Sequence, residues 1–220
     1  MFYLGRMSNH PPPLLRFPTS QLPTSLPGVS YSTVLPENFT SKLGAWDPAK
    51  GWVPMTYKDC FVKQSISGVN RILIATAGSS TGLVSDLLEY YPEPYRLAYL
   101  LVTPPDGFQP MKYEVEGLDT GTVHRFFEAF RPFLEGDARH HVWIHSASGG
   151  GTIINDEHDW LYAYGSLDLV EQYLVDRGFA DEMPEIPFPH LHNESSSNDA
   201  VMRELLGHFE WKAHPVSNLG

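Results

Sequence analysis

Basic residues are scarce in this sequence: fifteen lysines and arginines stand against 26 aspartates and glutamates, a formal net charge of −11. A protein that grips nucleic acid needs basic surface to displace phosphate counterions, so nucleic-acid binding is not expected. Cysteine is scarcer still. Cys60 stands alone, which excludes an internal disulfide and any cysteine-rich zinc site and suits a reducing compartment. Lys58 could activate the Cys60 thiol, but no base is spaced to help it, so Cys60 reads as structural. Long apolar runs are also missing. Nothing approaches the roughly 18 residues of a membrane span, and the opening MFYLGRMSNHPPP lacks the apolar centre of a secretory signal. A cytoplasmic protein with no membrane segment is the expectation. The sequons at Asn38 and Asn193 then read as chance matches.

What is present divides the chain in two. Seven of the nineteen prolines fall in residues 1–36, where fixed φ and missing donors prevent regular helix or central strand. This is a Pro-rich arm or leader, and Pro11–Pro13 could adopt polyproline II. Residues 37–220 form one α+β domain. Within it, 37–70 carries Trp46, Trp52, Tyr57 and Phe61 among turn formers; such rings pack on a core rather than stay wet, though no periodicity assigns them to elements.

Regular patterning starts at Arg71. Residues 72–75 (ILIA) have the signature of a buried strand. Leu83, Val84, Leu87, Leu88 and Tyr91 recur along one helical face that Pro92 ends. Residues 95–103 and 112–116 read as strands. Val123, Phe126, Phe127, Phe130 and Leu134 mark a second helix, capped by Thr120 or Thr122, kinked at Pro132 and stopped by Gly136 in a left-handed conformation. Residues 141–145, 152–155 and 160–164 form a meander. A helix over 166–177 stops at Gly178, 183–189 is an extended linker, and a last helix spans about 198–211. The short turns make neighbouring strands antiparallel. The expectation is α+β: a mostly antiparallel sheet of about five to six strands covered by three to four helices.

Three local patterns suggest chemistry. Gly78-Ser79-Ser80-Thr81-Gly82 matches G-x-S-x-G between a strand and a helix, which would make Ser80 a hydrolase nucleophile on a sharp turn. Its simpler reading is a helix cap made by serine and threonine. The same Ser79, Ser80, Thr81 and Gly82 could cradle a small anion or nucleotide phosphate on free amides, although the Gly-Lys-Ser/Thr ending of a P-loop is absent. His190-x-His192 puts two imidazoles on one side of an extended segment, a spacing that zinc or nickel uses, with His158, Asp159 or His145 as possible third ligands. His141 and His145 share one strand face and His140 takes the other.

Charge is the strongest anomaly. Residues 156–199 hold eleven acidic residues against one basic, Arg177, a net of −10. A field so polarised favours a basic partner. The leading expectation is therefore a non-catalytic acidic protein that binds a basic protein, with no cofactor, as an immunity protein or antitoxin neutralises a basic toxin. Asp156, Glu157, Asp159, Asp168 and Glu171 would supply charge, and Trp160 and Tyr164 the anchors. The alternatives are a hydrolase using Ser80 or a metal at His190 and His192, and an anion binder at 78–82.

Overall fold

The computed structural model describes residues 35, 36 and 39–216. Apart from Leu35 and Pro36, the Pro-rich arm lies outside the described residues. In chain order the elements are β1 (Leu43–Asp47), β2 (Gly51–Pro54), β3 (Cys60–Ile66), β4 (Val69–Ala75), α1 (Ser80–Leu87), β5 (Tyr95–Leu101), β6 (Met111–Leu118) and α2 (Thr120–Gly136). They continue with β7 (His140–Ser146), β8 (Gly151–Asn155), β9 (Leu161–Tyr164), α3 (Leu167–Asp176), β10 (Ala180–Asp181), β11 (His190–His192), α4 (Asp199–Leu206) and β12 (Lys212–Pro215).

The α+β class holds, but the sheet is larger than the five to six strands expected. A nine-stranded sheet runs β10-β3-β4-β9-β8-β7-β5-β6-β12, and a separate three-stranded sheet runs β11-β1-β2. Every neighbouring pair is antiparallel except the two-residue pairing of β10 with β3. The unexpected members of the large sheet are β3, β10 and β12, and of these the longest, β3, lies in residues 37–70. There β3 turns into β4 through Ser67 and Gly68, both at positive φ, the backbone that a two-residue hairpin requires to match strand twist. Ser67-Gly68 is itself a turn dipeptide, but no periodicity in 37–70 points to strands on either side of it. The strands β1 and β2 are short, and aromatic pairing of Trp46 with Trp52 aligns them.

Helix ends also differ from expectation. Asp119, not a threonine, caps α2 by accepting from the Thr122 amide at 2.6 Å. The helix runs through Pro132 to Gly136, with the ring on the exposed side, and ends as the backbone becomes extended at Asp137. The last helix is shorter than expected. After Leu206 the chain turns and pairs β12 with β6, while Phe209 and Trp211 pack on Phe126.

The large sheet is buried on both faces at its centre. One face packs Ile72, Ile74, Leu97, Tyr99, Val142 and Ile144 against the helices. The other buries Leu73, Ile154, Trp160 and Tyr162 beneath Tyr57, Trp143 and Ile186. Two-sided burial is why 72–75 and 161–164 show no polar alternation.

An internal ion network ties α2, β7 and α4. Arg139 grips Asp137 through Nε and Nη2 and reaches Asp199 Oδ1 through Nη1 at 2.7 Å. Burial would raise the Asp137 carboxyl, but the nearby His140 ring, 3.8 Å away, and the hydrogen-bonded Arg139 guanidinium hold it well below the usual range. His140 is fully buried. Burial pushes it down to about 4, Lys42 adds to that, and Asp137 opposes it only partly. The unfolded chain therefore takes up a proton near pH 6.5 that the native state refuses until about pH 4. Stability is full above that window and falls as pH drops through it, by about 3 kcal/mol for this one group. Urea midpoints of wild type and His140→Phe across this range check it: the variant should lose less stability, and an unchanged slope would exonerate His140.

Candidate metal centre

The site is assembled where the tip of the β8–β9 turn meets the small sheet. Asp156 shapes the turn, its Oδ1 accepting from the amides of His158 and Trp160, each at 2.9 Å, and its Oδ2 from the Tyr162 hydroxyl. Asp159 sits at φ 64° to complete the reversal, a conformation that aspartate tolerates better than most residues. The effect is to fix His158 at the tip, with the Tyr57 hydroxyl donating to its carbonyl at 2.6 Å.

The other two imidazoles come from β11. That strand pairs with β1, His192 opposite Leu43 and His190 opposite Ala45, so period-two alternation puts both rings on one face. One ligand atom each from His158, His190 and His192 lie within 4.8 Å of one another. The His190–His192 pair expected from sequence is thus joined by His158. The other suggested third ligands are engaged elsewhere. His145 bonds Thr152 on the far part of β7, and Asp159 Oδ1 accepts from Ser80 and Asn155 beside the Lys42 ammonium.

Protonation suits a cation site at His190 and His192, whereas at His158 a metal would have to displace a proton. His190 Nδ1 lies 3.1 Å from the Pro187 carbonyl. A carbonyl only accepts, so Nδ1 carries the proton and Nε2 presents its lone pair. Burial lowers the His190 ring, and it lowers His192 to about 4, which keeps both neutral at pH 7, the form that ligates metal. His158 Nδ1 faces Asp156 Oδ2 and Glu157 Oε1, both at 3.6 Å. Burial works against its charge, but these carboxylates more than compensate and raise it. Glu157 in turn touches His141 Nε2. A carboxylate behind a ligating imidazole is the common support of a protein metal site. His190 and His192 are only partly buried, so the cluster is reachable from solvent, as a site with an open coordination position must be.

Beside the imidazoles lies a polar cavity of about 170 Å³, lined by Lys42, Tyr57, Glu135, His158 and Asp159 among others. Lys42 is 1% exposed and donates to Asn155 Oδ1 at 2.5 Å and to the Asp156 carbonyl at 2.7 Å. Of the 78–82 turn, Gly78 lines it, and Ser79 and Thr81 are tied to Glu135. Ser79, the cap of α1, receives the Gly82 amide, and Glu135 Oε1 accepts from the Ser79 hydroxyl and from the amide and hydroxyl of Thr81. The protein's own carboxylate thus takes the place a bound anion would occupy. Ser80 is wholly buried and gives its hydroxyl to Asp159 at 2.6 Å, so it offers no surface to a substrate.

The residues assigned to a basic partner are scattered. Trp160 and Tyr164 are 3% and 9% exposed, inside the second core, and Asp156 is buried within its own turn. Glu171 pairs with Lys63 at 2.7 Å, while Asp168 is exposed. The exposed apolar side chains of this stretch are Leu169, Val175, Met183 and Phe188.

Sequence reasoning missed Lys42, Tyr57 and Glu135, and gave His141 no part in a site. The partners of the Lys42, Tyr57 and Glu135 side chains lie 54 to 117 positions away along the chain, beyond any spacing signal; only the His190-x-His192 pair was visible locally.

Replacing Lys42 by Met leaves Asp159 buried with its cation gone and should cost about 3–5 kcal/mol in denaturant unfolding. Adding Asp159→Asn should recover part of that loss. A double variant no more stable than Lys42→Met would show that the charge pair is not what holds the turn.

Comparison with family models, with characterised proteins and with solved structures gives no match for this chain, so its chemistry is read from its own residues.

Proposed function

We propose that this protein is a metal-dependent hydrolase whose divalent ion, of the zinc class, is held by His158, His190 and His192. The observation that carries the reading is the convergence of three imidazoles from two separate elements, two of them kept neutral by burial. Three protein nitrogens leave a coordination position for water, and an ion so bound makes that water acidic enough to act as a nucleophile near neutral pH. The chain's own part is to hold the ligands: Pro187 sets the His190 tautomer, and Asp156 and Glu157 stand behind His158.

Untagged protein purified without chelator should carry about one equivalent of metal by elemental analysis. His158→Ala, His190→Ala and His192→Ala should each abolish it, whereas the exposed His214→Ala should not. Glu157→Gln should weaken binding about 10–100-fold. Zinc should restore hydrolysis of p-nitrophenyl acetate or bis(p-nitrophenyl) phosphate to stripped protein. No bound metal and no thermal shift with zinc, cobalt or nickel would sink the reading.

A second reading, an acidic surface that binds a basic protein without catalysis, is supported by one observation. Leu169, Val175, Met183 and Phe188 stand exposed within the stretch that carries the negative charge, and apolar groups ringed by charge are characteristic of interfaces. Leu169→Asp together with Asp168→Lys should then remove a salt-sensitive partner retained by wild type. Equal retention by both proteins counts against it.

A further inference from the structure

A half-open groove of about 620 Å³ lies along the linker that leads to His190. One wall is the continuous run of residues 53–58, and the facing wall includes Met183, Ile186 and Pro187. Its size is that of a ligand site rather than a packing defect. The groove and the imidazole cluster share structure. Tyr57 lines the groove and donates to the His158 carbonyl, and Pro187 lines it while accepting from His190 Nδ1.

Three features define the occupant. First, the wall begins on β2, which among the described residues pairs with β1 alone and is one edge of the small sheet. A strand edge beside a groove suits an extended chain, whose alternate side chains can enter while its backbone runs alongside. Second, Val53, Met55, Met183 and Ile186 make the walls apolar, and Met183 is 49% exposed, an unbranched side chain that adapts to varied partners. Third, Glu182 and Glu185 also line it. Among the described residues Glu182 pairs only with Lys58, itself on the wall, at 3.8 Å, and no cation pairs with Glu185. A tunnel for a small neutral molecule would not need these carboxylates; a cationic side chain emerging at the rim would meet them.

We propose that this groove binds an extended peptide with a lysine or arginine beside apolar residues, delivered to the neighbouring metal centre. This names the substrate class of the proposed hydrolase and rests on that reading for turnover, not for binding. In turnover, water oxygen joins the peptide carbonyl carbon, the C–N bond breaks, and the proton released from water leaves with the amine.

The test is fluorescence polarisation with two labelled peptides, Leu-Lys-Val-Arg-Leu-Val and its counterpart with glutamate at both basic positions, using the full chain zinc-loaded and chelator-stripped. The basic peptide should bind at least 10-fold more tightly, and added salt should weaken it. Glu182→Gln with Glu185→Gln should lower its affinity about 10-fold, and Met183→Asn, which removes apolar contact without adding charge, should also lower it, with metal content and circular dichroism unchanged. Equal affinity for the two peptides, no binding of either, or unaltered binding by these variants overturns the groove proposal and leaves the metal centre standing. Binding of the basic peptide by both protein forms with no cleavage supports the groove and counts against the hydrolase.

Discussion

The ammonium of Lys42 is the constraint on which the site depends. It is almost wholly buried, and it crosses from the start of the small sheet to the β8–β9 turn of the large one, ending on Asn155 and the Asp156 carbonyl. The same residue is fixed by its backbone. Its amide donates to the Glu135 carbonyl at the end of α2, and its carbonyl accepts from Asn193, one residue beyond β11. Asn193 then donates through its side chain to Gly136 and Phe39. A single buried cation therefore sets where β11 lies relative to the turn. Without that registration His190 and His192 would have no reason to face His158. A buried charge is costly unless its donors are all used, which makes this arrangement specific rather than merely adhesive.

The acidic segment takes on a different meaning in three dimensions. Several of its carboxylates are internal wiring. Asp156 holds a turn, Asp159 balances Lys42 and Asp199 completes the Arg139 network. Those left on the surface include Asp168, Asp176, Asp181, Glu182, Glu185 and Glu194. The proposed cation site and the proposed surface for basic groups both draw on the same stretch, one through its buried acids and one through its exposed acids. The field acts on both, since carboxylates near an imidazole cluster favour a bound cation as they favour an arriving one.

Much of the fold was legible because it rests on short-range patterning. The apolar run at 72–75, the faces of α1 and α2, the meander of β7, β8 and β9, and the Gly178 stop of α3 follow from period and turn chemistry. The strands β1, β2, β3 and β12 were not, because none is an uninterrupted apolar run and each is defined by the strand it pairs with. Likewise, the reading of 78–82 as an anion cradle was sound local chemistry. It could not foresee that Glu135, 54 positions away from Thr81, would take up those donors.

By itself the sequence determined the α+β class, the face that each long helix buries, and the presence of two imidazoles at a ligating spacing in His190 and His192. These depend on residues within a few positions of one another, so the pattern carries them. The tertiary structure alone decided that His158 is the third member, that Glu157 and Asp156 stand behind it, that Ser80 is sealed in the interior, and that a groove opens beside the centre. Each of these is a meeting of segments tens of residues apart, set by the closing of two sheets around Lys42. Such contacts leave no periodic trace, because the chain between the partners is free to take any length and composition that lets the sheets close.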